Sequence, residues 1–369
     1  MKIGLNATCY DDRPSGAKQR FKLIYEEFFK LRHRDEFVVY QPSDCDLSLW
    51  FSKHDNVRFE HTPLSSRNRL QKYLMGRRYW PRILASENFD LFECFHLPFV
   101  NAPDARTILT IHDIHGVSAS LFSQLLYKMI LGKAIGSADR IIAVSQTVKD
   151  EIQALYPDAK ISVVYNGIEM NGFTEVSNDK LKKTQENLNL PQSFLLSVGH
   201  FEKRKNYLAL INALACLHKR GNRLNLVIVG NDSGSLKAVV TLIRRLGLSQ
   251  HVRICSNVSD SDLHNIYQLC SLFVFPSSYE GFGIPILEAM AAEKPYVLSD
   301  IPVFKEITQR QTAYFPRANP EVMADVIEST LSSNTECDRI IAYGKQRVMD
   351  FTPKKICHDL QDIYHSLQK

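Results

Sequence analysis

Short apolar runs alternate with amphipathic stretches along the whole chain of 369 residues. Eleven runs have the length and composition typical of buried strands, at 2–8, 37–40, 89–95, 107–113, 139–145, 161–166, 194–199, 224–230, 252–255, 272–277 and 295–300. Between them, apolar residues recur every three or four positions, which predicts helices such as 17–32, 120–136, 204–219, 234–246 and 260–270. This alternation predicts an α/β architecture with parallel sheets and helices on both faces.

The strand pattern stops once, near residues 168–192, where a polar segment ends at Pro191 before a new strand begins. We therefore predict a Rossmann-like domain at 1–168, a linker at 169–192 and a second Rossmann-like domain at 193–351. Thr352 and Pro353 are typical of a helix start. They predict a last helix within 352–369, a candidate to cross back to the first domain.

Composition narrows the class of protein. Hydrophobic residues make up 44% of the chain, enough for a sizeable core, and the net charge of +5 is too weak for nucleic-acid binding driven by bulk charge. The eight cysteines are scattered without a C-x-x-C pair, which favours buried thiols in a reducing compartment over disulfides or zinc. No apolar run approaches the length of a membrane span, so we expect a cytoplasmic protein.

The stretch richest in candidate chemistry is FVFPSSYEGFGIPILEAMAA at 273–292. A strand ends near Phe275, and glycines precede a helix that starts near Ile284, so backbone N–H groups and the helix dipole can receive an anion there. Glu280 lies in the loop and Glu288 lies one turn into the helix. Each carboxylate can accept hydrogen bonds from the hydroxyls of a polyol.

The string E-G-F-G-I-P-I-L-E-A-M-A closely resembles the E-x7-E signature of family 4 glycosyltransferases, retaining enzymes of the GT-B fold. The resemblance implies two Rossmann-like domains facing a central cleft, the first binding the acceptor and the second a nucleotide-diphosphate sugar. It implies that Glu280 contacts the donor sugar and Glu288 the ribose of the nucleotide. The sugar and diphosphate are then met by the loop N–H groups of Gly281, Phe282, Gly283 and Ile284.

A second motif, LSVGHFEKRKN at 196–206, places cations just after a strand and before a helix. It resembles the diphosphate site V-G-R-x4-K of the same family, with Lys205 at the Lys position. His200 stands where many members have Arg. In the R-K-N variant of the group, Arg204 supplies the second cation, which leaves the role of His200 open.

Two residues of the first domain complete the candidate site. Gly16 precedes an amphipathic helix, and His112 follows the strand TILTI. The resemblance implies that Gly16 lies near the donor phosphate and that His112 contacts the transferred sugar near its reacting carbon. A metal pair of His112 with His115 is disfavoured, because the spacing offers no third ligand.

Two D-x-D triplets, Asp44-Cys45-Asp46 and Asp260-Ser261-Asp262, would suit a metal-dependent glycosyltransferase of a different fold. Ser259 is a helix N-cap that accounts for the second, and the first lies in a polar loop. We therefore expect no metal cofactor. Cations and N–H groups would stabilise the diphosphate leaving group instead.

The acceptor is suggested by residues 67–82, a basic stretch with six cations and several aromatic residues. It fits an anionic membrane surface and equally a solvated helix. The resemblance implies hexose transfer from GDP-mannose or a UDP-sugar to a saccharide or lipid-linked saccharide, in lipopolysaccharide, other surface-polysaccharide or glycolipid assembly at the inner face of the membrane. The alternatives are a nucleotide-sugar epimerase or hydrolase, and a non-catalytic sugar-nucleotide-binding subunit.

Overall fold

A computed structural model describes residues 1–13, 15–97, 99–114, 121–174 and 177–368 of the chain. The chain divides into two compact units, the first comprising Met1–Gly167 with Pro353–Lys369 and the second Ile168–Thr352. Each unit has its own parallel sheet and its own apolar core. Short 3-10 turns lie at Leu47–Trp50, Lys203–Lys205 and Val348–Phe351.

The sheet of the first unit has seven strands in the order β3-β2-β1-β4-β5-β6-β7. These strands are β1 Lys2–Asn6, β2 Glu36–Gln41, β3 Val57–His61, β4 Leu91–Cys94, β5 Arg106–Ile111, β6 Arg140–Ala143 and β7 Ile161–Val163. The helices are α1 Gly16–Leu31, α2 Arg69–Glu87, α3 Leu121–Ser137, α4 Gln146–Leu155 and, from the end of the chain, α14 Pro353–Ser366. The order reverses between β1 and β4, and this switch point is where ligands bind open α/β sheets.

The C-terminal helix α14 packs against α1, so the end of the chain belongs to the first unit. A fully buried carboxylate anchors it: Glu93 on β4 accepts hydrogen bonds from the hydroxyls of Tyr364, Tyr25 and Thr110. Burial raises the pKa of Glu93, although these hydrogen bonds oppose the shift. Of these donors only Tyr364 lies on α14, and its hydrogen bond to the buried carboxylate ties α14 to the sheet.

The sheet of the second unit has six strands in the order β10-β9-β8-β11-β12-β13. These are β8 Leu195–Val198, β9 Leu226–Val229, β10 Val252–Cys255, β11 Leu272–Phe275, β12 Tyr296–Ser299 and β13 Ala313–Phe315. The helices are α5 Asn171–Thr174, α6 Asn178–Asn187, α7 Tyr207–Lys219, α8 Leu236–Arg245, α9 Asp260–Leu269, α10 Ile284–Ala291, α11 Pro302–Ile307, α12 Pro320–Leu331 and α13 Asn334–Arg347. Here the order reverses between β8 and β11.

The segment 169–192, predicted as a linker, is part of the second unit. It contains α5 and α6, and both pack on α9. Thr184 of α6 donates to Asp262 at 2.7 Å and accepts from Asn265 at 2.8 Å. The segment looked like a linker because α6 is mostly polar, and its packing rests on this buried hydrogen-bond network.

Candidate functional site

The carboxyl ends of β8 and β11 meet at the switch point of the second unit. The chain after β8 leads through Gly199 to the 3-10 turn Lys203–Lys205, and the chain after β11 leads to Glu280. Backbone contacts join these two loops, since the N–H of Ser278 donates to the carbonyl of Arg204 at 2.7 Å. Both predicted motifs therefore lie side by side in the crevice where α/β sheets bind ligands.

Glu280 forms two ion pairs at the centre of this crevice. Its carboxylate lies 2.7 Å from Nζ of Lys205 and 2.5 Å from a terminal nitrogen of Arg204. Ser277 donates a third hydrogen bond at 2.8 Å. Glu280, Lys205 and Ser277 are buried, so the cluster is a preformed, charge-paired unit.

The charges of the cluster set the protonation of its members. Burial alone raises the pKa of Glu280, but Lys205 and Arg204 outweigh burial and hold that pKa below its ordinary value. Burial likewise lowers the pKa of Arg204, while the charges of Glu280 and Glu202 raise it above its ordinary range. Glu280 is therefore an anion and Arg204 a cation at physiological pH.

The side chain of Lys205 runs across Gly199 to reach Glu280. A Cβ at Gly199 would lie 2.8 Å from Cε of Lys205, closer than such atoms approach, and φ of Gly199 is +146°. The ammonium of Lys205 also lies 4.8 Å from the centre of the Phe275 ring. The glycine after β8 thus makes room for the cation of the next loop.

The basic residues do not begin a helix, in contrast to the prediction for 204–219. They occupy a separate 3-10 turn, Asn206 follows in the left-handed region at φ 56°, and α7 starts at Tyr207. Arg204 is also paired with Glu202 at 2.6 Å. The two cations are therefore balanced by carboxylates, and their position does not depend on an anion at a helix end.

The glycine-rich loop leads directly into α10. Gly283 is the N-cap, with φ +115°, and the loop segment from Gly281 through Phe282 brings the chain to Ile284. A Cβ at Gly283 would lie 3.1 Å from the Phe304 ring. Only glycine combines that conformation with that space, so the loop is shaped to start α10 beside Glu280.

Glu288 lies one turn into α10 and is buried. Its carboxylate accepts a hydrogen bond at 2.8 Å from the hydroxyl of Tyr267 on α9, which is fully buried. The same hydroxyl lies 3.3 Å from the carbonyl of Pro285. Tyr267 thereby fixes the direction of the Glu288 carboxylate.

His200 has a backbone contact: its Nδ1 accepts from the N–H of Asn231 at 3.2 Å. The contact joins the ends of β8 and β9. It gives His200 a structural role, while its predicted donor contact stays a prediction.

The first unit contains the two remaining predicted residues. Gly16 is the first residue of α1, and the N-cap Ser15 accepts from the N–H of Lys18 at 3.1 Å. His112 follows β5, and its Nε2 is buried without a hydrogen-bond partner among the described residues. Burial, with the charge of Arg20, lowers the pKa of His112 to about 3, so the imidazole is neutral at physiological pH.

The D-x-D carboxylates are engaged in local hydrogen bonds. Asp44 accepts from Ser65 and Ser66, and Asp46 caps the turn Leu47–Trp50. The N-cap role of Ser259 is confirmed, with the N–H of Asp262 donating at 3.1 Å. Within the described ranges no cluster of three or more His, Cys, Asp or Glu side chains could hold a metal ion, and His115 lies outside those ranges.

Sequence reasoning missed two residues that orient the predicted glutamates, Ser277 and Tyr267. Ser277 lies three residues before Glu280 in the turn PSS, a spacing that a local hydrogen bond could have suggested. Tyr267 lies 21 residues before Glu288, and only the packing of α9 beside α10 brings the two together.

Two family models of known proteins match the chain, one in each of its halves. Residues 16–171 match the model of Glycosyltransferase Family 4, and residues 178–347 match that of Glycosyl transferases group 1. The two halves of the chain are therefore similar to two glycosyltransferase domain families. Anabaena Alr3699/HepE, solved in complex with UDP and glucose, superposes on this chain with a TM-score of 0.76 and 18% identity, covering 99% of both chains. The predicted GT-B fold is thereby confirmed.

Two curated relatives are mannosyltransferases by name. The O-antigen chain mannosyltransferase RfbU of Salmonella typhimurium is 31% identical over 219 residues, 58% of this chain and 56% of RfbU. The serotype-specific mannosyltransferase WbdA of Escherichia coli is 29% identical over 358 residues, 90% of this chain and 42% of WbdA. The chain spans about half the length of these relatives.

The basic stretch 67–82 lies mostly on α2. Of the aromatic residues in this stretch, Trp80 is buried against Tyr40 and Phe92 and is not an exposed membrane anchor, whereas Tyr73 is 47% exposed. Leu70 and Leu74 are the apolar side chains that α2 exposes most. In the described part of the chain, no helix has the length and apolarity needed to span a membrane.

Proposed function

We propose that this glycosyltransferase moves a hexose, with retention of configuration, from a nucleotide-diphosphate sugar to a saccharide or lipid-linked saccharide. GDP-mannose or a UDP-sugar is the proposed donor, and the product belongs to cell-surface polysaccharide or glycolipid assembly at the cytoplasmic face of the membrane. RfbU and WbdA are named as mannosyltransferases, and HepE was solved with UDP and glucose, which supports this assignment.

The observation that carries the proposal is the cluster of Glu280 with Lys205 and Arg204 at the switch point of the second unit. A diphosphate brings negative charge that both cations can bind, and this releases the carboxylate of Glu280 for hydroxyls of the sugar. As the glycosidic bond breaks, charge grows on the diphosphate. Each well-placed donor then contributes about 3 kcal/mol to the transition state.

The proposed roles of the remaining site residues are assigned from their positions in the two units. Glu288, oriented by Tyr267, would accept from both ribose hydroxyls. The N–H groups of the loop 281–284 would meet the sugar and diphosphate, with Gly16 near the phosphate. The unpaired Nε2 of His112 is available to a sugar hydroxyl. Arg204 takes the second cation position of the R-K-N variant, and the chemistry needs no metal ion.

The test begins with thermal shifts against GDP-, UDP-, ADP- and dTDP-sugars, followed by turnover with membrane saccharides in EDTA. We expect one donor class to stabilise the protein and to transfer its sugar, with the anomeric configuration retained by NMR. Donor breakdown independent of acceptor would indicate a hydrolase or epimerase. Binding without turnover would indicate a non-catalytic subunit, and activity restored only by Mn²⁺ would require a metal site.

A further inference from the structure

The side-chain amide of Asn206 joins three loops at the carboxyl edge of the second sheet. Its Nδ2 donates to the carbonyl of Pro276 at 3.2 Å and to the carbonyl of Arg317 at 2.8 Å. Asn206 belongs to the loop after β8, Pro276 directly follows β11, and Arg317 follows β13. The side-chain amide has two N–H groups, so it can make both bonds. Because β12 separates β11 from β13, Asn206 links loops that strand pairing does not.

The backbone of Asn206 is in a conformation that few residues adopt. Its φ of 56° and ψ of 33° lie in the left-handed region, which favours glycine and in which asparagine and aspartate are enriched. Glycine has no amide to donate, and an aspartate carboxylate has no N–H group. Asparagine therefore combines the turn that this position requires with the donor that both carbonyls require.

The loop after β13 makes a second contact, in addition to the one from Asn206. A terminal nitrogen of Arg317 donates to the carbonyl of Ser278 at 3.0 Å. Ser278 in turn donates to the carbonyl of Arg204, through its N–H at 2.7 Å and through its hydroxyl at 3.1 Å. Each of the three loops is thus hydrogen-bonded to the other two.

These contacts lie next to the ion pairs of the candidate donor site. Asn206 directly follows Lys205, and Pro276 lies four residues before Glu280. The ammonium and the carboxylate come from different loops, so their separation of 2.7 Å depends on how the two loops are spaced. The turn Lys203–Lys205 has three residues, and its N-cap side chain makes no capping hydrogen bond. The contacts between the loops therefore determine where this short turn lies.

We propose that Asn206 is a positioning residue of the donor site: its amide, together with Arg317, sets the distance between the loop that carries Lys205 and the loop that carries Glu280. This inference rests on the proposed function, because it extends the same donor site to a third loop. A displacement of about 1 Å can lower a rate by up to about a hundredfold. Turnover is more sensitive than donor binding, since the charge on the diphosphate grows towards the transition state.

The test compares two Asn→Gly variants. Asn206→Gly removes the amide, and glycine tolerates the left-handed backbone. Asn189→Gly is the matched control, because Asn189 has a similar φ of 50° in the same unit and its side chain has no hydrogen bond in the described part of the chain. We expect Asn206→Gly to lower kcat about tenfold and to raise the donor KM at most about threefold. Asn189→Gly should stay within about twofold of the wild type in both.

A double-variant cycle distinguishes positioning of Lys205 from a general loss of structure. If Asn206 acts through Lys205, Asn206→Gly should change kcat by less than about twofold in a protein that already carries Lys205→Met. Guanidinium unfolding establishes that each variant is folded. A tenfold loss in the Lys205→Met background as well, or a kcat of Asn206→Gly equal to that of Asn189→Gly, would overturn the proposal.

A wild type that transfers no sugar would reject the proposed function, and the same cycle is then read on nucleoside diphosphate binding by calorimetry. Asn206→Gly should weaken that binding about threefold in the wild-type background and leave it unchanged in the Lys205→Met background. Equal weakening in the two backgrounds, or none in either, would overturn the role of Asn206 independently of the reaction.

Discussion

Glu288 depends on a neighbour that the sequence does not reveal. The carboxylate is buried, and the Tyr267 hydroxyl occupies one of its acceptor positions. In the proposed function the two ribose hydroxyls bind this same carboxylate, since an ionised carboxylate accepts about four hydrogen bonds. The glutamate was predictable from the E-x7-E spacing, whereas Tyr267 was not, because its contact depends on how α9 packs beside α10.

We predict that Glu288→Ala weakens nucleoside diphosphate binding by about 2 kcal/mol, and that Tyr267→Phe weakens it by about 1 kcal/mol. Calorimetric titration with the preferred nucleotide measures both. The 2′-deoxy nucleotide is the control. The wild type should bind it more weakly than the ribonucleotide, whereas Glu288→Ala should bind the two nucleotides equally. An unchanged preference for the ribonucleotide in Glu288→Ala would remove Glu288 from the ribose.

His96 and His112 make the first unit sensitive to acid. Burial lowers the pKa of both to about 3, with Lys72 adding to the effect at His96 and Arg20 at His112. In the unfolded chain both imidazoles bind a proton near pH 6.5. The folded state therefore keeps its full stability above that pH and loses stability as the pH drops towards 3. At pH 5 each histidine should lower the free energy of unfolding by about 2 kcal/mol.

Guanidinium unfolding at pH 7.5 and 5.0 measures this loss. The double variant His96→Asn, His112→Asn should lose less stability on acidification than the wild type. His33→Asn, at an exposed position, should behave as the wild type does. An identical acid loss in the double variant would show that these two imidazoles do not titrate as inferred.

At the scale of elements, the alternation of apolar runs was sufficient to predict the interior strands of both sheets. Each of the eleven predicted runs overlaps a strand, while β3 and β13 were missed. Both are edge strands, and their side chains are largely half-exposed, so neither has the continuous apolar run of a central strand. The polar helix α6 was missed for the same reason.

The turn after β8 allows a direct test of how an element positions the site. Gly199→Ala introduces a Cβ 2.8 Å from Cε of Lys205, so it should displace that cation and lower donor turnover about tenfold or more. Gly221→Ala is the matched control, because Gly221 also has a positive φ, +90°, with nothing within 4 Å of the added Cβ. Steady-state kinetics of the two variants provide the comparison. Equal turnover in both would mean that Lys205 tolerates displacement.

For the molecule as a whole, α2 is the exposed surface on which the predicted membrane contact depends. Leu70 and Leu74 are 68% and 55% exposed. With Arg77, Arg78 and Arg82 exposed on the same helix, they form a basic face with apolar side chains. The basic composition was visible in the sequence, but which residues face outward depends on how Trp80 packs.

We predict that the protein sediments with anionic vesicles at low salt and is released as salt rises, since each cation adds about 1 kcal/mol at the surface. Replacement of Arg77, Arg78 and Arg82 by Ser should abolish that binding. Leu70→Ser with Leu74→Ser should weaken binding to anionic and neutral vesicles alike. If active protein does not bind anionic vesicles at low salt, α2 is an ordinary solvated helix.

The central claim is that the carboxylate of Glu280, paired with Lys205 and Arg204, forms the donor site. The most direct test measures nucleoside diphosphate release from the donor, with acceptor and EDTA present, by the wild type, Glu280→Gln and Glu202→Gln. Glu202 is the control, because its carboxylate also pairs with Arg204, whereas the carboxylate that pairs with Lys205 is that of Glu280. We expect Glu280→Gln to lose about hundredfold in turnover and Glu202→Gln to stay within about threefold of the wild type. Turnover of Glu280→Gln equal to that of the wild type would contradict the claim.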